Sequence, residues 1–318
     1  MKKNELGKTG LLVSPVGMGI LTMGKTQLSL ALDEGADLIR YAMSKGINFL
    51  DTAEYYETYP YIRKALERGD FEPVISSKSL SPTYSGMKTA IENARRELCR
   101  DVIDIFLLHE IRQEPDFEYR LGAFEYLMEA KDKGIIKAIG ISTHHVCAAE
   151  KAAETAEIDV IFPLINYMGL GIRNGENSGT KEDMAAAIAK AHAAGKGVFT
   201  MKAFGGGNLL ANYREALDYV AGLKGVNSTM IGMGKYSDID AAVDYWGGKL
   251  EKEYQPDISG KKMYIDQGDC EACGACIERC TSKAIKFNAQ GLAEINTAAC
   301  VGCGYCANVC PVRAIIFL

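Results

Sequence analysis

Eight of the ten cysteines in the chain fall between positions 270 and 310, and their spacing is regular. Cys270, Cys273, Cys276 and Cys280 recur as Cys300, Cys303, Cys306 and Cys310, a repeat of period 30 in which each half reads C-x-x-C-x-x-C-x-x-x-C. Thiolates so spaced can wrap three corners of an iron–sulfur cube while the fourth points away to a second centre. Zinc also takes four thiolates in tetrahedral geometry, although its sites usually come as two separated C-x-x-C pairs. The echo continues past the cysteines. Lys283-Ala284-Ile285 and Phe287 return as Arg313-Ala314-Ile315 and Phe317, so two similar halves are expected to pack their Ile and Phe side chains together around the metal. A segment this small has too little apolar surface to fold well without that metal. Cys99 and Cys147 stand alone and read as small buried hydrophobes.

A second set of reactive side chains lies upstream, each at the end of a short apolar run: Asp51 with Tyr55 and Tyr56 just beyond, then Lys78, then His109-Glu110. An ammonium near a phenol is expected to favour tyrosinate and lower the phenol pKa. A carboxylate can hold that ammonium, and an imidazole can donate to a carbonyl oxygen, so the set reads as a tyrosine general acid with its supports. Other candidates carry less. His109-Glu110-Ile111-Arg112-Gln113 has Gln where H-E-x-x-H needs its second histidine, His144-His145 fits capping or solvated roles, and His192 falls on a helical surface.

The elements that must position these residues follow from periodicity. Strand-like runs span Pro15 to Leu21, Ile47 to Ala53, Pro73 to Ser79, Val102 to Glu110, Ile135 to Thr143, Val160 to Tyr167, Gly197 to Ala203 and Ser228 to Gly234. Helical patterns over Leu30 to Lys45, Gly86 to Cys99, Glu118 to Lys133 and Glu182 to Ala194 alternate with them, with Gly46, Gly134 and Gly195 as C-caps. Eight βα units predict an α/β fold, a TIM (β/α)8 barrel, with a doubly wound open sheet as its rival. Texture changes after Trp246, where Gly247-Gly248-Lys249 and Pro256 suggest a boundary. The expected domains are a barrel over 1–250 and a small α+β metal domain over 262–318, joined through a Gly- and Lys-rich segment, the barrel closing its own core. The chain is 47% hydrophobic, and 36 basic against 41 acidic residues give a net charge of -5, which excludes the basic surface that nucleic acid or an anionic membrane requires. No apolar run approaches the ~18 to 20 residues of a membrane span, and the first residues lead into no signal-peptide stretch, so a cytoplasmic location is expected.

Residues 1 to about 246 resemble an aldo-keto reductase. The resemblance rests on Leu6-Gly7-Lys8-Thr9-Gly10-Leu11, Gly17-Met18-Gly19, D-T-A-x-x-Y at Asp51 to Tyr56, Lys78, and D-x-x-x-x-H at Asp104 to His109. It implies Tyr56 as proton donor, Lys78 and Asp51 tuning it, His109 orienting a small-molecule carbonyl substrate, and hydride from NADPH or NADH. Tyr56 is preferred over Tyr55 by spacing alone. Cofactor contacts implied are Gly19, Ser142 in Gly140-Ile141-Ser142, Asn166 after the sixth strand, Met201 and Lys202 before the Gly205 to Gly207 loop, and Gly232 and Gly234 after the eighth. The three glycines permit close approach of a phosphate, and Lys202 could add charge. Residues 262 to 318 resemble a bacterial ferredoxin with two [4Fe-4S] clusters, implying Cys270, Cys273, Cys276 and Cys310 on one and Cys300, Cys303, Cys306 and Cys280 on the other. Pro311 follows Cys310 as expected, whereas Thr281 follows Cys280, a departure expected to alter the turn. Clusters move single electrons and a nicotinamide moves a hydride. The expected function is NAD(P)H-dependent carbonyl reduction with an appended iron–sulfur domain; the alternative is an electron-transfer protein fed by a ferredoxin or other redox partner, and an inactive scaffold is disfavoured by the complete set of four. Anaerobically prepared protein should hold about eight irons and eight acid-labile sulfides per chain by elemental and sulfide analysis, and stoichiometric zinc without iron would overturn the cluster reading.

Overall fold

A computed structural model describes residues 1–25, 27–258, 260–300, 302 and 304–318, with the backbone alone for Asn308. A hairpin of β1 (Asn4–Glu5) and β2 (Leu12–Val13) precedes the barrel strands β3 (Val16–Gly19), β4 (Phe49–Asp51), β5 (Val74–Ser79), β6 (Ile103–Leu108), β7 (Ile136–Thr143) and β8 (Val160–Pro163). A second hairpin, β9 (Arg173–Asn174) and β10 (Asn177–Ser178), intervenes before β11 (Gly197–Thr200) and β12 (Ser228–Gly232). The eight barrel strands pair in parallel and close when β12 meets β3, with Gly232 opposite Gly19. All eight fall inside the runs predicted from sequence, and the open sheet is excluded.

The helices are α1 (Leu32–Ser44), α2 (Tyr59–Leu66), α3 (Tyr84–Leu98), α4 (Glu114–Tyr119), α5 (Leu121–Asp132), α6 (Val146–Glu154), α7 (Lys181–Ala193), α8 (Tyr213–Gly222) and α9 (Tyr236–Trp246). Their apolar faces pack on the outward residues of the strands, for example Leu50, Ile75 and Ile139. Inward residues Phe49, Ile105, Leu107, Val160, Phe162 and Phe199 fill the barrel. Leu6, Leu11 and Val13 of the first hairpin join that interior cluster. Period-two alternation then dictates the mouth: if Phe49 and Leu107 face inward, so do Asp51 and, one step past β6, His109.

Three sequence expectations are corrected. The helix predicted over Glu118 to Lys133 is broken at Arg120, whose φ of -105° and ψ of 19° separate α4 from α5. Cys99 is an exposed left-handed C-cap (φ 52°) and Cys147 is half-buried, so neither is a core residue.

The third concerns the separateness of barrel and tail, expected from a barrel that closes its own core. From Trp246 the chain runs back over the barrel, with Arg214 donating to the carbonyls of Leu250 and Glu251 and the Tyr254 ring 5.1 Å from that of Tyr213. Beyond it, β13 (Met263–Ile265) pairs antiparallel with β16 (Ile315–Phe317), and β14 (Ile285–Phe287) with β15 (Ala293–Ile295). Short helices α10 (Ala275–Arg279) and α11 (Tyr305–Val309) each start after a left-handed glycine, Gly274 and Gly304. The isoleucines of the two halves pack together, but Phe287 is 52% exposed. This unit sits on the C-terminal mouth of the barrel. Phe317 N donates to Gly206 O at 2.8 Å and Asn208 Nδ2 to Ile315 O at 2.8 Å. The glycine loop expected to approach a phosphate therefore approaches the C-terminal strand. Gly207 has φ +87°, and a Cβ there would lie 2.2 Å from Phe317 O. Gly207→Ala is expected to lower stability by about 1–3 kcal/mol through left-handed strain and to expose the tail to protease. Denaturant unfolding and limited proteolysis would check this, and a tail as resistant as the wild type's would contradict it.

Candidate functional site

The site forms where successive strands present their last inward side chains. β4 ends at Asp51, and a 3-10 turn over Glu54–Tyr56 carries both tyrosines, but only one reaches the mouth's polar centre. Tyr55 is 50% exposed, whereas the Tyr56 hydroxyl stands 3.3 Å from His109 Nε2. Lys78, on β5, is 1% exposed and spends its ammonium protons on Asp51 Oδ1 (2.9 Å), Asp51 Oδ2 (2.8 Å) and Thr52 O (2.7 Å). Its Nζ lies 4.8 Å from the centre of the Tyr56 ring. The structure thus brings Asp51, Tyr56, Lys78 and His109 together and separates Tyr56 from Tyr55.

The electrostatics differ from the sequence expectation. Burial raises the Tyr56 pKa well above the usual phenol value, and the carboxylates of Asp51, Asp266, Asp269 and Glu110 push it further in the same direction. The Lys78 charge cannot reverse this because Asp51 closes on it. Tyr56 is a protonated phenol through the neutral range. Burial, with Lys78 and Arg120 adding to it, lowers the His109 pKa well below that of free histidine, so its ring is neutral.

One positioning residue escaped the sequence reading. Arg120, 5% exposed, turns inward at the α4–α5 break and donates to the carbonyls of His109 and Ser79, tying together the ends of β5 and β6. Its signal was hidden inside a helical pattern. Asp104 stays structural, accepting from Ile75 N at 2.9 Å and Lys137 Nζ at 2.7 Å.

Two cavities meet at Tyr56. A smaller one of about 250 Å³ lies over Lys78, His109, Ser142 and His144. A larger one of about 560 Å³ runs from Asp51 and Tyr56 past Gly19, Met201 and Lys202 to Gly232, Gly234 and Lys235. Ser142 Oγ accepts from Glu110 N at 3.0 Å. Asn166 is on neither wall: its amide is consumed by Leu170, donating to that carbonyl and accepting from that N–H, both at 2.9 Å. Lys202, expected as a phosphate contact, is ion-paired with Asp269 of the tail. Burial, then Lys202, takes the His144 pKa down to about 3, and burial with Arg173 takes that of His145 to about 4. His145 caps α6 and His144 lines the smaller cavity. The roof of that cavity is Asp266, Gln267, Gly268 and Asp269, four residues that end at Cys270 and that no periodicity pointed to.

In the tail, Cys270, Cys273, Cys276 and Cys310 line one pocket among Ile265, Ala293 and Ala314. Cys280, Cys300 and Cys306 line a second, and Cys303 lies outside the described residues. Cys310 thus lies with the cysteines of the first half and Cys280 with those of the second. The turn after Cys280 is not altered by Thr281. Ala284 N reaches Cys280 Sγ at 3.2 Å and Ala314 N reaches Cys310 Sγ at 3.3 Å, and the two cysteines share nearly the same φ, -73° and -75°. Four unpaired thiols around one cavity, with N–H groups aimed at sulfur, suit an iron–sulfur cube. No helix among the described residues is long and apolar enough to cross a membrane.

Comparison with known proteins agrees with this architecture. Residues 15–227 match the aldo/keto reductase family and residues 263–318 a 4Fe-4S dicluster domain. The chain is similar to the uncharacterized oxidoreductase YqkF of Bacillus subtilis (28% identity; 45% of this chain, 49% of that one) and to the methylglyoxal reductase DkgA of Yersinia pestis (23%; 51% and 55%). It therefore spans about half the length of these curated relatives. A solved structure from Pseudomonas aeruginosa superposes with a TM-score of 0.65 at 25% identity, covering 78% of this chain and 95% of that one. The aldo-keto reductase AKR11C1 of Bacillus halodurans shares the fold, with a TM-score of 0.61 over 77% of this chain and 90% of its own. With four reactive side chains assembled at the mouth of such a barrel, the chain belongs to the aldo/keto reductase family and carries a C-terminal 4Fe-4S dicluster domain.

Proposed function

We propose that the protein reduces a small-molecule carbonyl compound at the expense of NADPH or NADH, with Tyr56 as general acid. The observation that carries this reading is that Tyr56 lines both cavities at once, the smaller sized for a compact substrate and the larger for a dinucleotide. A nicotinamide bound along the larger cavity supplies the hydride. Gly19, Met201, Lys202, Gly232 and Gly234 on its wall are the contacts proposed for it, with Ser142 reaching it from the smaller cavity, and Asn166 serves the loop that Leu170 closes instead. Tyr56 holds the proton at its hydroxyl, facing His109, and gives it to the carbonyl oxygen. Neutral His109 orients that oxygen, and Lys78, held by Asp51 and Thr52, fixes the ring of Tyr56. The Yersinia relative named a methylglyoxal reductase and a Pseudomonas relative named D-threo-aldose 1-dehydrogenase support a small carbonyl or sugar substrate.

The tail, over 262–318 beside a barrel over 1–250, is read as holding two [4Fe-4S] clusters, one on Cys270, Cys273, Cys276 and Cys310 and one on Cys280, Cys300, Cys303 and Cys306. Clusters on reduced thiolates suit the cytoplasm. One observation favours the second reading, electron delivery from a ferredoxin-like partner: Asp269, in the roof of the substrate cavity, immediately precedes the ligand Cys270.

Tyr56→Phe should lower the rate of carbonyl reduction by about 10²- to 10⁴-fold while nucleotide affinity, measured by calorimetry, stays near wild type. Tyr55→Phe is the control. A loss below about threefold sinks the assignment of the acid, and turnover with reduced ferredoxin but with neither nicotinamide would replace the first reading by the second.

A further inference from the structure

We propose that the smaller cavity selects a carbonyl substrate that carries a positive charge, an amino ketone or amino aldehyde, and that Asp266 of the cluster domain is the residue that receives the charge. The inference rests on the carbonyl reduction proposed above and names its substrate class.

The charges around the cavity are unequal. Two lysines, Lys78 and Lys202, line it with three carboxylates, Glu110, Asp266 and Asp269, and a fourth, Asp51, stands beside Lys78 on the wall of the larger cavity. The two histidines on the wall, His109 and His144, are neutral, since burial takes both far below the usual imidazole range. Both lysines are committed: Lys78 to Asp51, Lys202 to Asp269. Glu110 has Arg112 at 3.6 Å, a rim side chain that also lies 3.7 Å from Glu271. Asp266 is different. It is 9% exposed, its Oδ1 accepts from Gly268 N at 3.0 Å, and among the described residues no Lys, Arg or His comes within ion-pair distance of it.

A buried carboxylate without an ion-pair partner is costly, and burial with the neighbouring Asp269 pushes the Asp266 pKa up, the charge of Lys202 offsetting only part of this. An ammonium in the cavity would remove that cost, and an anionic substrate would add to it. Asp266 lines the larger cavity as well as the smaller, so it stands at the junction where the carbonyl must meet the hydride donor. At about 250 Å³ the space suits a molecule of a few heavy atoms, with its charge necessarily close to the reacting carbon.

The experiment uses the full-length protein made anaerobically with its clusters, and three ketones that differ in head group: aminoacetone, hydroxyacetone and pyruvate. The expected order of kcat/KM is aminoacetone first, by about tenfold over hydroxyacetone, with pyruvate last. Asp266→Asn should bring the aminoacetone to hydroxyacetone ratio near one, chiefly through the KM of aminoacetone, and Asp266→Glu should restore the preference; iron content checks that both variants fold. Equal use of the three ketones by the wild-type protein, or a preference for pyruvate, overturns the inference even if the Asn variant fails to fold. If none is reduced, the carbonyl reductase reading itself fails. Calorimetric binding of aminoacetone against hydroxyacetone to the wild-type protein then decides the charge question alone, and equal affinities refute it.

Discussion

Everything at the barrel mouth depends on keeping one ammonium group out of water. Burial pushes the Lys78 pKa down and that of Asp51 up, each toward its neutral form, while their mutual attraction holds both charged. Such a pair is not a source of stability in itself, because the desolvation of two ions offsets most of the attraction between them. What it provides is geometry. Three acceptors fix Nζ in one place, and the Tyr56 ring packs over it at 4.8 Å. His109 is held from the other side by Arg120, whose guanidinium binds the carbonyls of His109 and Ser79. The phenol and imidazole meet at 3.3 Å, the first over a fixed ammonium and the second on a backbone that Arg120 holds.

Around that centre the cluster domain acts as a wall rather than an appendage. Its Asp269 closes on Lys202, its last strand packs on the glycine loop after β11, and residues 266–269 roof the smaller cavity. The roof and the first cysteine of the tail are continuous in the chain, since Asp269 and Cys270 are neighbours.

The wall also sets the electrostatics. A phenol beside an ammonium would ordinarily be made more acidic, yet here the ammonium is spoken for and four carboxylates surround the ring. The protonated form of Tyr56 is thereby favoured, which suits a proton donor and not a base.

The sequence alone determined whatever depends on short-range order. Alternation along β4 to β6 placed Asp51, Lys78 and His109 at inward strand ends, eight βα units specified the barrel, and the spacing of the cysteines specified two thiolate sets, because side-chain direction in a strand and chelate spacing are properties of a few consecutive residues. Only the tertiary structure decided the contacts between distant segments. Arg120 reaches across 41 positions to Ser79 and Lys202 across 67 to Asp269, Gly207 makes room for Phe317, and Asn166 turns to Leu170. The pKa direction of Tyr56 belongs with these, since desolvation and the sum of charges exist only once the chain has closed around the site.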